Sequence, residues 1–355
     1  MDITDLFNIS PYSLDSKEKE RIHIDLLKKI TSHHLKMCEP YKKIINKLWC
    51  SNRIIRSSTD VPFVPTRIFK HLRLLSVPPE EITRTMSSSG TSGQMVSKIY
   101  LDSKNAIMQT KVLNQLVKYN IASKRIPMLV IDNESTITDK NKFSARTAGI
   151  LGFSLFAKYR KFALDDDYKL IEEVVIDFLN KNKGEEILIF GFTFMVWQHL
   201  YEYCVNNNLD FDLSNAILVH GGGWKKLHDL KISRLDFGLQ LKSKFGLNKV
   251  VDYYGMVEQT GTLSFECEMG VLHTSNFSDI IIRNPNNLSS LSIDEPGVIQ
   301  SISLLPSSYP GHSLLTDDEG VLLGIDNCKC GRKGKYFEVL GRIKNAETRG
   351  CSDTR

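Results

Sequence analysis

The chain has 355 residues, enough to bury a large core as one α/β unit or as two ordinary domains. It is 41% hydrophobic and 25% charged, with its 22 Gly and 11 Pro spread along the chain, which excludes a disordered or low-complexity protein. The net charge of +5 comes from Lys and Arg interleaved with acids, so no nucleic-acid partner is expected.

From Asp15 to Trp49, residues Ile22, Leu26, Leu27, Ile30 and Leu35 recur at helical spacing, which predicts an amphipathic helical region. The N-terminus lacks the features of a signal peptide and no apolar run approaches ~18 residues, so no membrane span and a cytoplasmic location are expected. Seven cysteines in such a compartment are expected as thiols, metal ligands or nucleophiles rather than disulfides. Prolines at 62, 65, 78 and 79 break the helical pattern and place a boundary near residue 80.

The middle of the chain alternates short apolar runs with helical ones: Met128 to Ile131, Tyr168 to Asn180, Ile187 to Phe190, Phe194 to Val205, Ile217 to Val219. That alternation predicts a parallel, doubly wound sheet. After Val250 come turn-separated strands at Asp279 to Ile282, Val298 to Leu304, Val321 to Gly324 and Tyr336 to Leu340. The fold class is mixed α/β with a β-rich end and no internal repeat. The expected organisation is a helical region over 1–80, a core over 81–342 and a hinge-like tail over 343–355.

Several segments carry chemistry. Ser87-Ser88-Ser89-Gly90-Thr91-Ser92-Gly93-Gln94 is too small and polar to build a core, but its backbone N–H groups and hydroxyls can wrap a phosphate. It lacks the Walker spacing. Gly221-Gly222-Gly223-Trp224-Lys225-Lys226 follows a strand and reads either as a plain turn or as a surface for a flat ring. Tyr254 and Glu258 in Tyr253-Tyr254-Gly255-Met256-Val257-Glu258 offer a stacking face and a hard oxygen ligand. Asp318 in Thr316-Asp317-Asp318-Glu319-Gly320 and Arg342 in Gly341-Arg342-Ile343-Lys344-Asn345 complete the set. Cys267, His273, Cys328 and Cys330 supply four ligands suited to a closed, structural zinc site, against the alternative of buried free thiols.

In their order, these segments resemble the nucleotide motifs of the adenylate-forming (acyl-CoA synthetase) superfamily, in the form of its LuxE-type acyl-protein synthetases. The resemblance is densest from Ser87 to Arg355; before that, only Phe63 to Lys70 is recognisable. It implies the large N-terminal domain of that superfamily, with mixed sheets flanked by helices and a β-rich portion, and without the usual mobile C-terminal domain. ATP and magnesium are then the implied cofactors. Ser87 to Gly93 would hold phosphates, Gly221 to Gly223 and Tyr254 the adenine, Asp318 the ribose, Arg342 ribose or phosphate, and Glu258 magnesium. Four positions depart from the pattern: Val96 stands where the family loop has lysine, with Lys98 two residues later, Val257 replaces a threonine, Asp317 a glycine, and Asn345 the hinge aspartate. The zinc quartet resembles one in phenylacetate-CoA-ligase-like relatives.

The tail adds a thiol. Cys351 lies where LuxE-type enzymes carry the acyl group as a thioester, nine residues beyond Arg342, an extended reach of at most ~30 Å. The implied activity is adenylation of a carboxylic acid, a fatty acid by family default, then transfer to Cys351 and on to a cysteine-dependent acyl reductase. Lys225, Lys226 and Lys344 are alternative substitutes for the family's catalytic lysine. Two other functions remain open: an acyl-CoA ligase of the phenylacetate type and a non-catalytic nucleotide-binding scaffold. Phe190, Phe192, Phe194 and Trp197 read either as an acyl pocket or as plain core.

Overall fold

The computed structural model describes residues 2–49, 54–88, 95–138, 145–222 and 232–343. The strands in chain order are β1 (Val64–Pro65), β2 (Ile82–Ser87), β3 (Lys98–Asp102), β4 (Ile126–Val130), β5 (Ala157–Phe162), β6 (Ile187–Phe192) and β7 (Ala216–Gly221). They continue with β8 (Lys249–Tyr254), β9 (Ser264–Glu266), β10 (Leu272–His273), β11 (Ser278–Arg283), β12 (Pro296–Ser303), β13 (Ser313–Ile325) and β14 (Lys335–Arg342). The chain forms two compact units, and residues 1–80 belong to the same unit as the C-terminal strands from Gly255 onward. The other unit is built mainly from Val117–Tyr254.

The second unit is the predicted parallel sheet. Its strands run β8-β7-β6-β4-β5, all parallel neighbours. Every residue of β4, β6 and β7 is buried, as both-face coverage by helices requires. The helices include Ala145–Ser154, Glu172–Lys181 and Arg234–Phe245, the last ended by Gly246 in the left-handed conformation. The helix expected from Phe194 to Val205 runs through Thr193–Met195, a π-helical Val196–Glu202 and Tyr203–Asn206. Phe192, Phe194 and Trp197 lie in the hydrophobic core of this unit, and Phe190 is fully buried.

The first unit holds the antiparallel ribbon β11-β12-β13-β14-β10-β9, with β1 pairing β13 in parallel through Val64 and Leu314. β2 and β3 form a separate hairpin. The N-terminal helix Ser16–Met37 is capped by Asp15, whose side chain accepts from the N–H groups of Lys17 and Glu18. Its buried face carries Ile22, Leu26 and Leu27 as expected, but also Lys19, His23, Thr31 and His34. Those polar groups find partners far along the chain. Lys19 donates to the Thr274 hydroxyl at 2.8 Å, and Lys335 donates to Asp279 at 2.8 Å. The Thr31 hydroxyl meets His312 Nε2 at 3.0 Å, while His34 stacks on His312 with ring centroids 5.0 Å apart.

Candidate active site and a cysteine–histidine cluster

The Ser/Gly loop springs from the β2–β3 hairpin. Ser87 pairs with Lys98, and just beyond them the Ser88 N–H donates to the Ser97 carbonyl at 2.9 Å. The Ser97 N–H in turn donates to the buried Ser88 hydroxyl, also at 2.9 Å, so the mouth of the loop is pinned shut. Ser89, Gly90, Thr91, Ser92 and Gly93 lie outside the described residues, as do Gly223, Lys225, Lys226, Lys344 and Cys351.

In the second unit the C-terminal ends of β6, β7 and β8 gather the expected ring-binding residues, where parallel sheets of this kind place their ligands. Glycine is required at both described positions of the Gly triplet. A Cβ on Gly221 would come within 2.6 Å of the Tyr253 ring. Gly222 has φ +102°, and its Cβ would lie 2.5 Å from Phe192. Tyr253 is partly exposed but packs against Phe153 at 5.3 Å, and burial of its hydroxyl pushes it above the usual range. Tyr254, one residue on, is half-buried as well. Beside it sits a buried polar cluster that sequence reading missed. His220 Nδ1 lies 3.0 Å from the Thr193 hydroxyl and 3.8 Å from Asp252, whose other oxygen is 3.7 Å from Arg234. The alternation of β7 and β8 was its available signal, since a polar residue interrupts each apolar strand just before the glycines and tyrosines.

In the first unit Glu258 sits in a single 3₁₀ turn, Val257–Gln259. A Cβ on Gly255 would run into Leu263, so the entry to this turn has no room for a side chain. Gln259 locks the turn by donating to the Gly311 carbonyl at 2.8 Å and accepting from Ser301 at 2.6 Å. The Tyr309 hydroxyl donates to the Glu258 carbonyl at 2.8 Å. The Glu258 side chain is 0% exposed, and neither carboxylate oxygen has a hydrogen-bond partner among the described residues. An ionised carboxylate buried in that way costs several kcal/mol, which a cation or its bound water would offset. The buried amide of Gln109, near Tyr309, also has an unmatched Nε2. Gln109 was not anticipated, and nothing in its helix marks it.

Asp318 and Arg342 are cross-strand partners on β13 and β14, with Nε and Oδ1 3.7 Å apart. The Asp318 N–H donates to the Thr316 hydroxyl, which donates to the Ile299 carbonyl. Asp317, which stands where the resembling family has glycine, turns to Arg67, whose Nε lies 3.0 and 3.2 Å from its two oxygens. Its carbonyl also accepts from the Ile343 N–H at 3.0 Å, tying the start of the hinge motif to β13.

The expected Cys/His quartet comes together from four separate sequence positions. The ligand atoms of Cys267, His273, Cys328 and Cys330 all lie within 4.8 Å of one another. Cys267 Sγ is 3.9 Å from Cys328 Sγ, and Cys330 Sγ is 3.4 Å from His273 Nε2. Ligands bound tetrahedrally to one zinc ion stand about 3.5 to 3.8 Å apart; the 3.4 and 3.9 Å pairs are close to that, and the wider separations, up to 4.8 Å, would draw in on an ion. Tight turns present the sulfurs: the Gly270 N–H donates to the Cys267 carbonyl, and the Gly331 N–H to that of Cys328. Without a cation, burial and the neighbouring thiols push Cys330 up to about 12, and burial pushes Cys267 upward. Burial, with the charges of Arg332 and Lys19, holds His273 down to about 4, leaving the imidazole neutral and fit to ligate.

With this geometry in place, comparison with solved structures defines the class. The chain superposes on 2-hydroxyisobutyryl-CoA ligase in complex with 2-HIB-AMP and CoA, with a TM-score of 0.70 at 17% identity, over 95% of this chain and 78% of that one. The fold is therefore that of the adenylate-forming ligases. The family model described as acyl-protein synthetase, LuxE, matches residues 1–355, and the chain belongs to that family. Two relatives are long-chain-fatty-acid–luciferin-component ligases. The Aliivibrio fischeri protein is 25% identical over 98% of this chain and 91% of its own length. The Vibrio harveyi protein is 24% identical over 98% and 90%. Family and fold together make the protein an ATP-dependent ligase that activates an acyl group. No described helix is long and apolar enough to cross a membrane.

Proposed function

We propose that this protein is a cytoplasmic acyl-protein synthetase that activates a long-chain fatty acid as its acyl-adenylate and carries the acyl group on Cys351. The carboxylate oxygen attacks the α-phosphorus of ATP, pyrophosphate leaves, and the mixed anhydride is a far better electrophile than the free acid. The thiolate of Cys351 then attacks the acyl carbon and AMP departs, leaving a thioester to pass to a cysteine-dependent acyl reductase. Ser87 to Gly93 hold the phosphates, Gly221 to Gly223 and Tyr254 the adenine, and Asp318 and Arg342 the ribose and α-phosphate side. The tail over 343–355 serves as the arm that moves Cys351.

The observation that carries this reading is the Glu258 carboxylate, fully buried with both oxygens unmatched among the described residues. Magnesium bound there would neutralise phosphate charge, and Glu258 is the residue to hold it. Cys267, His273, Cys328 and Cys330 would hold zinc as a closed structural site, joining the turns around β9, β10 and β14.

The test is ATP–pyrophosphate exchange with magnesium across fatty, aromatic and short carboxylic acids. Exchange that depends on a long-chain acid supports the reading; silence across the panel with ATP still bound sinks it in favour of a non-catalytic nucleotide-binding protein. Radiolabelled acyl thioester on the wild type and none on Cys351→Ala supports the carrier role. Acyl transfer to free coenzyme A by Cys351→Ala points instead to an acyl-CoA ligase. Metal analysis should find about one zinc per chain, lost in Cys328→Ser/Cys330→Ser.

A further inference from the structure

A cleft of about 420 Å³ lies at the foot of the Ser/Gly hairpin, within the first unit, between the short helix Ile68–His71 and β3. Lys70, His71, Arg73 and Lys98 line it, and no lining residue is acidic. Arg73 and Lys98 make no ion pair with any carboxylate among the described residues; the Arg73 guanidinium instead lies 5.2 Å above the Tyr100 ring. The remaining lining is apolar. Phe69 is buried beneath it, and Leu72 and Met95 leave 40% and 58% of their surfaces in solvent. Arg67, Arg283 and Arg332 of the same unit meet acids or carbonyls instead: Arg67 pairs with Asp317, Arg283 with the Leu288 and Thr59 carbonyls, and Arg332 with that of Phe265.

Like charges gathered in one concave surface repel one another and focus a positive potential outward, and a bound anion relieves that repulsion. Exposed large apolar side chains in the same cleft are favoured only when something covers them. The volume falls in the range of small-molecule sites. From these features we propose that the cleft binds an amphiphilic anion, a carboxylate or phosphate head carried on an aliphatic chain. The head sits among Arg73, Lys98 and Lys70, and the chain lies along Leu72, Met95 and Tyr100. The site rests on these residues alone; the activity proposed above only suggests which amphiphile to try first.

Isothermal titration with decanoate, decyl phosphate, inorganic phosphate and decanol tests it, on the wild type and on Arg73→Glu/Lys98→Glu. Saturating acyl-sulfamoyl adenosine keeps the activating site filled. The expected result is binding of decanoate or decyl phosphate that weakens about tenfold or more in the variant and falls with added salt. Stronger binding of decanoate points to a free fatty acid as the natural ligand, and stronger binding of decyl phosphate to a phosphate-linked chain. Equal affinity of wild type and variant overturns the proposal. So does inorganic phosphate binding as tightly as decyl phosphate, or decanol as tightly as decanoate. Arg73→Gln/Lys98→Gln gives the same reading where charge reversal disturbs folding. If the adenosine analogue fails to bind, the activating function is at fault, and the contrast between wild type and variant still reports on the cleft.

Discussion

The two compact units are held together by different physics. The parallel-sheet unit buries β4, β6 and β7 along their whole lengths around an aliphatic and aromatic cluster, and its buried ionisable groups Asp132, His220 and Asp252 sit at or just past the C-terminal ends of its strands. The antiparallel unit buries Lys19, His23, His34, Asp279, Gln300 and His312, each answered by a partner from a distant part of the chain. An apolar core is stabilised by area removed from water and tolerates imperfect geometry, whereas a buried polar network requires every partner in place. The unit that carries Glu258 and the Cys/His quartet is thus the one whose stability is most sensitive to ionisation.

Paired substitutions sharpen that contrast. Phe190→Ala in the parallel unit should destabilise by about 3–5 kcal/mol through the cavity it leaves. Asp279→Ala in the antiparallel unit should cost about as much, because it strands Lys19 and Lys335 without their counter-charge. Urea denaturation measures both. A cost below ~1 kcal/mol for Asp279→Ala would break the comparison.

Next in size is Glu258→Gln, expected to lower pyrophosphate exchange by about 10²–10³, or ~3–4 kcal/mol of barrier. Its melting temperature should stay level or rise, since an unmatched buried charge is removed. A large drop in melting temperature would instead mark Glu258 as structural.

Smallest for any single group is the effect of pH. Burial holds His23 down to about 4 and His312 down to about 3, and holds His34 well below its ordinary value. Between roughly pH 6.5 and 4 the unfolded chain therefore binds more protons than the folded one. The stabilisation is complete above about 6.5 and is lost as pH falls, at up to ~1.4 kcal/mol per unit for each histidine. Denaturation at pH 7, 6 and 5 should show the decline, and His312→Gln should flatten it. A profile flat from 7 to 5 would contradict it.

Much of this was legible from the residues in order. Period-2 and period-3.6 patterns placed the N-terminal helices and the strands at 187–192, 216–221, 278–283 and 296–303, because apolar spacing is a local property. The pattern did not reveal β5, whose residues are mostly polar, or the helix Ser103–Asn120, whose apolar face is weak. The site motifs could be read singly, and Cys267, His273, Cys328 and Cys330 could be grouped by ligand chemistry.

The amino-acid sequence by itself determined the α/β class, the family, and the residue types that offer nucleotide and metal chemistry, since each depends on short spacings. Only the tertiary structure decided that Glu258 is buried without a hydrogen-bond partner among the described residues, that Asp317 turns to Arg67, and that His34 stacks on His312. It alone brought four zinc-type ligands within bonding reach of one ion. The Arg67–Asp317 contact joins residues 250 positions apart, and no local pattern encodes a meeting that the packing of whole elements brings about.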